Sequence, residues 1–171
     1  PGLRLRNAEE TEMFFSLIRK KNVGIMLDTG HLMNTEPALT GEEEAADFIC
    51  RTVESLGKLR SLIRGIHLSC SLSGVYQREF SHRMPENLTE KMLMEHIISI
   101  DQHQPFHTSA ARQIAEFLKP DYIVHELICR TPEDLEKALR MQIGSLRGSG
   151  KSSRDSGDNG RHRDSYRECS E

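Results

Sequence analysis

The sequence predicts an α/β fold built around a parallel sheet. Three apolar runs of strand length occur along the chain, at residues 23–28, 63–69 and 121–127. Longer segments in which apolar residues recur at helical spacing separate these runs, so that strands and helices alternate. Because parallel strands need a crossover connection and a helix is the usual one, the alternation indicates repeated β/α units.

The first half of the chain predicts two helices and two strands. Residues 7–21 begin at a cap-like Asn, carry acids in the first turn and end in basic residues, which is typical of a helix. The run at 23–28 predicts a strand buried on both faces. Residues 41–62 predict a second helix, loosened at Gly57, and residues 63–69 a second strand.

The second half predicts helices on both sides of a third strand. A helix over residues 89–100 stops before Pro105, because proline disfavours continued helix. Residues 108–118 predict an amphipathic helix, and the strand at 121–127 follows. The last helix spans about 131–143, with Thr as its cap and Pro at the first helical position.

Two segments carry weaker patterns. Residues 69–74 predict a loop of small residues, followed by a polar stretch that reaches Pro85. From residue 144 to residue 171 the composition changes to Ser, Gly, Arg and Asp. This tail offers too little apolar surface to offset the entropy of ordering, so we expect residues 144–171 to be disordered.

Charge and composition exclude several classes of partner. The 171 residues carry a formal net charge of −3 with acids and bases interspersed, which gives no electrostatic attraction to nucleic acid or an anionic membrane. No apolar stretch has the length of a transmembrane span, and no signal peptide is recognisable. The four cysteines form no C-x-x-C pair. We expect a cytoplasmic protein with reduced thiols.

Residue types that bind metals stand at the end of each strand. Asp28 ends the first strand and is followed by His31, His67 lies near the end of the second, and Glu126 ends the third. In parallel β/α folds the segments after the strands form the active face. The pair Asp28 and His31 alone is equally typical of a buried Asp that caps the next turn. Recurrence in three strands favours a metal or acid/base site.

These motifs resemble the sugar phosphate isomerase/epimerase superfamily, whose fold is the xylose isomerase-like TIM barrel and which is related to the zinc-dependent apurinic endonucleases. The resemblance is carried by Leu-Asp-Thr-Gly-His at residues 27–31, Gly-Ile-His-Leu at 65–68, Asp-x-His at 101–103, and Glu126 before a Thr-Pro-Glu-Asp helix start. It implies that residues 1–143 form the C-terminal portion of such a barrel, about its last three β/α units.

The same resemblance implies a set of site residues. Asp28, His67 and Glu126 would be metal ligands, with His31 a ligand or a substrate-binding residue, and Glu126 and His31 are the candidate catalytic groups. Carboxylates and imidazoles without thiolates suit Mn²⁺, Zn²⁺, Co²⁺ or Mg²⁺.

A second pair extends this set. Asp101 and His103 match the Asp-x-His ligand pair of the multi-zinc endonuclease branch, and a helix-ending turn explains them equally well.

The implied activity is isomerisation or epimerisation of a sugar or sugar phosphate by proton transfer through an enediolate. The alternatives are a metal-dependent phosphodiesterase of the apurinic endonuclease type and a non-catalytic barrel fragment. The strand that carries the family's other catalytic Glu has no counterpart before the first helix, so another chain would have to complete the barrel.

Two further residues carry expectations of their own. Cys70 stands near a position where the family carries Asp or Asn. His125 should point to the opposite face of its strand from Glu126.

Overall fold

A computed structural model of the chain describes residues 7–80 and 89–148. Strands and helices alternate along this part of the chain, as the sequence predicts. The elements in chain order are α1 (Ala8–Leu17), β1 (Ile25–Asp28), α2 (Thr29–Met33), α3 (Glu42–Ser55), a 3-10 helix (Gly57–Leu62), β2 (Ile63–Leu68), α4 (Gly74–Phe80), α5 (Glu90–Ile100), α6 (Ala110–Leu118), β3 (Tyr122–His125) and α7 (Pro132–Arg147).

The three strands form one parallel sheet in the order β1-β2-β3. The register pairs Asp28 with His67 and Leu68 with His125 across neighbouring strands. The carboxyl ends of all three strands therefore lie along one edge of the sheet. The predicted α/β class and the parallel sheet are both confirmed.

The two faces of the sheet differ sharply in burial. On one face Ile66 and Leu68 are fully buried under helices and belong to the main core cluster. On the other face Met26, Tyr122 and Val124 are 38%, 51% and 40% exposed. The prediction that the first strand is buried on both faces is wrong, because no described element covers this second face. We call it the open face.

Helices α3 and α6 supply most of the core on the covered side. Their contact surface consists of small and β-branched residues, which allows the two helix backbones to approach closely. The residues of these two helices that are almost fully buried are Ala45, Ala46, Ile49, Val53, Ala110, Ala111 and Ile114. Helix α7 packs on α6 and contributes the fully buried Gln142, whose side chain donates to Leu68 O and accepts from Phe106 N. This amide satisfies two buried backbone groups that the sheet and helices leave unpaired.

Several predicted boundaries and caps agree with the structure. Asn7 accepts a hydrogen bond from the backbone N–H of Glu10 and caps α1, and Thr131 caps α7 with Pro132 in its first turn. Gly57 has a φ of +57°, which ends α3 and starts the 3-10 helix.

Other boundaries differ from the prediction. Helix α1 ends at Leu17 rather than near residue 21, and α4 occupies part of the polar stretch that was given no helix. Helix α7 runs past residue 143 to Arg147, where Gly148 in a left-handed conformation caps it. The rest of the predicted tail lies outside the described residues. None of the described helices combines the length and the hydrophobicity that a membrane span requires.

Candidate metal centre

Asp28 stands where β1 passes directly into α2, and its two carboxylate oxygens have different neighbours. Oδ1 accepts a hydrogen bond of 2.8 Å from the backbone N–H of His31, which caps α2. Oδ2 lies 3.2 Å from His31 Nδ1 and 3.6 Å from His67 Nδ1. Asp28 therefore does cap α2, as one of the two interpretations of the sequence predicts, and the cap uses only one of its two carboxylate oxygens. The other oxygen, Oδ2, faces the imidazoles of His31 and His67 and can act as a ligand.

Asp28, His67 and Glu126 converge from the ends of the three strands. Asp28 and His67 are register partners in β1 and β2, and Glu126 follows β3 directly. Glu126 Oε2 lies 2.8 Å from His67 Nδ1, and one ligand atom from each residue lies within 4.8 Å of the other two. Two ligands that share one ion at about 2.1 Å are themselves about 3.0–3.4 Å apart, so the widest separation in this triad would have to contract by up to about 1–2 Å to hold one.

Glu126 Oε2 provides an independent indication. The atom is shielded from solvent, and although it lies close to His67 Nδ1 it has no hydrogen-bond partner of acceptable geometry among the described residues. A buried carboxylate oxygen without a donor is costly. A cation bound between Glu126 and His67 would satisfy the lone pairs of both, so the residues present fit a divalent ion.

Asp101 and His103 lie on the other side of this triad. His31 Nε2 lies 2.8 Å from Asp101 Oδ2, His103 Nδ1 lies 3.5 Å from Asp101 Oδ1, and His103 Nε2 lies 3.7 Å from Glu126 Oε1. His103 is buried and adopts a φ of +46°, a conformation that costs a non-glycine residue about 1 kcal/mol or more. Such strain persists only where the surrounding contacts determine the conformation.

Together the six side chains close a ring in which carboxylates and imidazoles alternate. We call it the His–carboxylate ring, and its successive contacts range from 2.8 Å to 3.7 Å. Three carboxylates at this distance repel one another unless positive charge lies between them. Either protonated imidazoles or bound cations can supply that charge. In order around the ring the residues are Asp28, His31, Asp101, His103, Glu126 and His67.

His31 is the most accessible histidine of this ring, with 62% of its side chain exposed. Partial burial alone would lower its pKa, but the carboxylates of Asp28 and Asp101 outweigh burial and raise the pKa of His31 above its usual value. A solvent-facing imidazole that binds its proton more tightly is suited to hold or transfer a proton at the edge of the site.

Thr29 ties the carboxyl end of β1 to that of β2. Its fully buried hydroxyl donates to Ser69 O at 2.7 Å, with His67 O also within 3.1 Å, and accepts from the backbone N–H of Ser69 at 3.0 Å. Thr29 follows Asp28 in the chain, and its hydroxyl contacts the backbone of His67 and of Ser69, two residues further on. This hydroxyl therefore sets the distance between two members of the triad.

Asn34 ties α2 to the segment that carries Asp101. Its Nδ2 donates to Asp101 Oδ1 at 3.4 Å, and its Oδ1 accepts from the hydroxyls of Ser71 and Ser73, each at 2.8 Å. Ser71 Oγ in turn accepts from the backbone N–H of Gln102. These contacts orient the Asp101 carboxylate from behind, as outer partners of metal ligands do.

Cys70 and Gln104 hold the same segment through their backbones. Each accepts a hydrogen bond from the other's N–H, at 2.7 Å and 3.0 Å, in an isolated antiparallel bridge. Burial raises the pKa of the Cys70 thiol to about 12, so it stays protonated and is a poor ligand or nucleophile. Cys70 thus contributes a backbone contact at the position near which the sequence resemblance predicts Asp or Asn.

The structure brings together every residue that the sequence named as a site candidate. His125 is register-paired with Leu68 on the covered side, as the alternation along β3 predicts. Its Nδ1 is buried without a hydrogen-bond partner among the described residues. Thr29 and Asn34 were missed, because buried polar residues after a strand carry no signal that distinguishes them from ordinary turn residues.

Comparisons of the chain with protein-family models, curated proteins and solved structures find no significant match. The resemblance to the isomerase/epimerase superfamily therefore stays a prediction carried by the motifs.

Proposed function

We propose that the three β/α units belong to an eight-stranded barrel of the xylose isomerase type. Two features support this proposal. Helices α3 and α6 pack on one face of the sheet, and the open face, which no described element covers, presents large apolar side chains such as Tyr122 and Val124. In a closed barrel that face lines the interior, where bulky apolar residues are normal. Either further strands or another chain would have to cover it.

The proposed function is divalent-metal-dependent isomerisation or epimerisation of a sugar or sugar phosphate. One observation carries it: the ligand atoms of Asp28, His67 and Glu126 come from three adjacent strand ends and lie within 4.8 Å of one another. A divalent ion held there supplies Lewis-acid polarisation of a substrate oxygen. Mn²⁺, Zn²⁺, Co²⁺ and Mg²⁺ all match this donor set.

The roles of the chain's own residues follow from their surroundings. Asp28 orients His31 through the cap of α2, and His31 faces solvent, where it can hold a proton next to a bound hydroxyl. Glu126 offers one oxygen to the triad and the other toward His103, so it is the carboxylate placed to move a proton on a neighbouring carbon.

A second candidate function is a phosphodiesterase with more than one metal ion. The observation that favours it is the inclusion of Asp101 and His103 in the His–carboxylate ring, which together with His31 raises the number of donor residues from three to six. Clustered ions would activate water and stabilise a leaving oxygen. The chain's net charge of −3 gives this candidate no general attraction for DNA.

Metal binding by isothermal titration calorimetry tests the shared premise. We expect Mn²⁺ or Zn²⁺ to bind at micromolar or lower concentration, and Asp28→Asn and His67→Gln each to abolish binding. Asp47→Asn and His96→Gln serve as matched controls outside the ring and should bind normally. A folded chain that binds no metal would overturn the proposal.

The stoichiometry and the substrate then separate the candidates. One ion per chain together with turnover in a panel of aldoses, ketoses and their phosphates supports the isomerase. Two or more ions together with cleavage of abasic DNA supports the phosphodiesterase. Tight metal binding without either activity supports the non-catalytic alternative.

A further inference from the structure

The opposite edge of the sheet, where the strands begin, carries a cleft of different chemistry. Two cavities of about 380 Å³ and about 350 Å³ adjoin there and share Ser61 and Arg64 in their walls. We infer that this cleft binds the phosphate group of a small phosphorylated molecule. The inference is independent of the metal centre, which lies at the carboxyl ends of the strands.

Positive charge dominates the lining of the cleft. Arg64 is paired with the one lining carboxylate, Asp121, at 2.6 Å, and Lys58 is paired with Glu12 outside the lining at 3.3 Å. The remaining lining cations have no carboxylate partner among the described residues, so three positive charges are uncompensated. The lining cations are Lys21, Lys58, Arg60, Arg64 and Lys119.

Two of these cations are held in place before any ligand arrives. The Arg60 guanidinium lies 4.1 Å above the Phe117 ring and donates through Nη2 to Phe117 O. The stem of Arg64 crosses Gly24 so closely that a Cβ on that glycine would lie 2.6 Å from Arg64 Cγ. Gly24 therefore permits the position of Arg64, and Asp121 fixes its charged end. Preorganised guanidinium groups lose little entropy when they bind an anion.

The type of donor selects the ligand class. Guanidinium groups present parallel N–H donors that match two oxygens of a phosphate, and lysine ammonium groups add charge from the rim. The larger cavity, at about 380 Å³, is within the usual range for small-molecule sites. Few apolar side chains line it, so a neutral apolar ligand would gain little from binding there.

Calorimetric titration of the full chain with inorganic phosphate and with pyrophosphate tests the inference. The buffer contains EDTA, and the titration is repeated with the Asp28→Asn variant, because phosphate could otherwise bind to a metal at the other end of the sheet. We expect saturable binding in both conditions. Arg64→Gln should weaken it by about tenfold or more, and Lys119→Gln, which alters an exposed side chain only, by a smaller factor.

Lys91→Gln in α5 is the matched control, because it removes the same charge far from the cleft. Affinity within about twofold of the unmodified chain is expected for this variant. The inference is overturned if phosphate does not bind saturably in EDTA. It is also overturned if Arg64→Gln, Lys119→Gln and Lys91→Gln reduce affinity equally, since that result means general charge attraction.

Discussion

The two ends of the sheet use charged side chains in opposite ways. At the carboxyl end, acids and histidines are partly buried, lie in alternation and are supported by buried hydroxyl and amide groups. At the amino end, arginines and lysines are largely exposed and only partly paired. The carboxyl end therefore holds its side chains in a fixed geometry, whereas the amino end concentrates positive charge. Substitutions at the first end should therefore alter stability and geometry together.

The largest effect is expected for Thr29→Val at the carboxyl end. Valine keeps the volume of threonine but leaves the buried N–H of Ser69 without its acceptor. We expect a loss of about 3 kcal/mol in the free energy of unfolding, measured by urea denaturation. Thr35→Val alters an exposed hydroxyl and should change stability by less than about 0.5 kcal/mol. Equal effects in the two variants would show that the Thr29 hydroxyl does not tie the strand ends together.

Glu42 should make stability depend on pH. Burial opposes its charge, but hydrogen bonds from the backbone and side chains of His107 and Thr108 outweigh burial and lower the pKa of Glu42 below its usual 4.5. Because the folded pKa lies below the unfolded one, the stabilisation is complete above pH 4.5 and is lost as the pH falls through the folded pKa.

Glu42→Gln should therefore reduce stability by about 2 kcal/mol at neutral pH and by less in acid. Glu43→Gln, on the exposed side of the same helix turn, is the control. Thermal unfolding between pH 3 and pH 7 measures both. A constant difference between Glu42→Gln and the unmodified chain across this range would contradict the assignment.

A smaller effect is expected for Asn34→Ala, which removes the outer support of Asp101 while leaving the six ring residues intact. Metal affinity should fall by about tenfold, the usual loss when a residue that hydrogen-bonds to a metal ligand is removed. Asn22→Ala at an exposed position should leave affinity unchanged. If Asn34→Ala keeps full affinity in calorimetry, Asp101 does not depend on this network.

The smallest effect on stability is expected at the amino end. Arg64 and Asp121 form an ion pair at 2.6 Å, but both side chains are more than half exposed. Exposed pairs contribute about 1 kcal/mol or less, so Arg64→Gln should barely shift the urea midpoint while it weakens phosphate binding. A loss of stability comparable to that of Thr29→Val would remove the distinction between the two ends.

The sequence was sufficient to predict the parallel sheet, its three strands and the helices α1, α3, α5, α6 and α7, but not α2. The apolar run at 63–69 and the helical spacing at 108–118 are local patterns. The folded structure has a strand and a helix at these places, as the patterns predict. Helix α4 was missed, because its seven residues make fewer than two helical turns, too few for a repeated apolar spacing to show. The exposed side of β1 was also missed, since an apolar run does not reveal which face other elements cover.

The candidate site was predictable for a similar reason. Asp28, His67 and Glu126 each lie at or next to the carboxyl end of a strand. Parallel strands bring their carboxyl ends to one edge of the sheet, so local position implies spatial proximity. The roles of Thr29 and Asn34 depend on partners about 40 and 67 residues away, respectively. A single sequence carries no trace of such pairings.

A crystal structure of the full chain grown with Mn²⁺, with anomalous diffraction to locate the ion, tests the metal centre most directly. We expect one strong anomalous peak within about 2.3 Å of ligand atoms from Asp28, His67 and Glu126. A peak bound only by other residues, or an intact His–carboxylate ring without a peak, would contradict it.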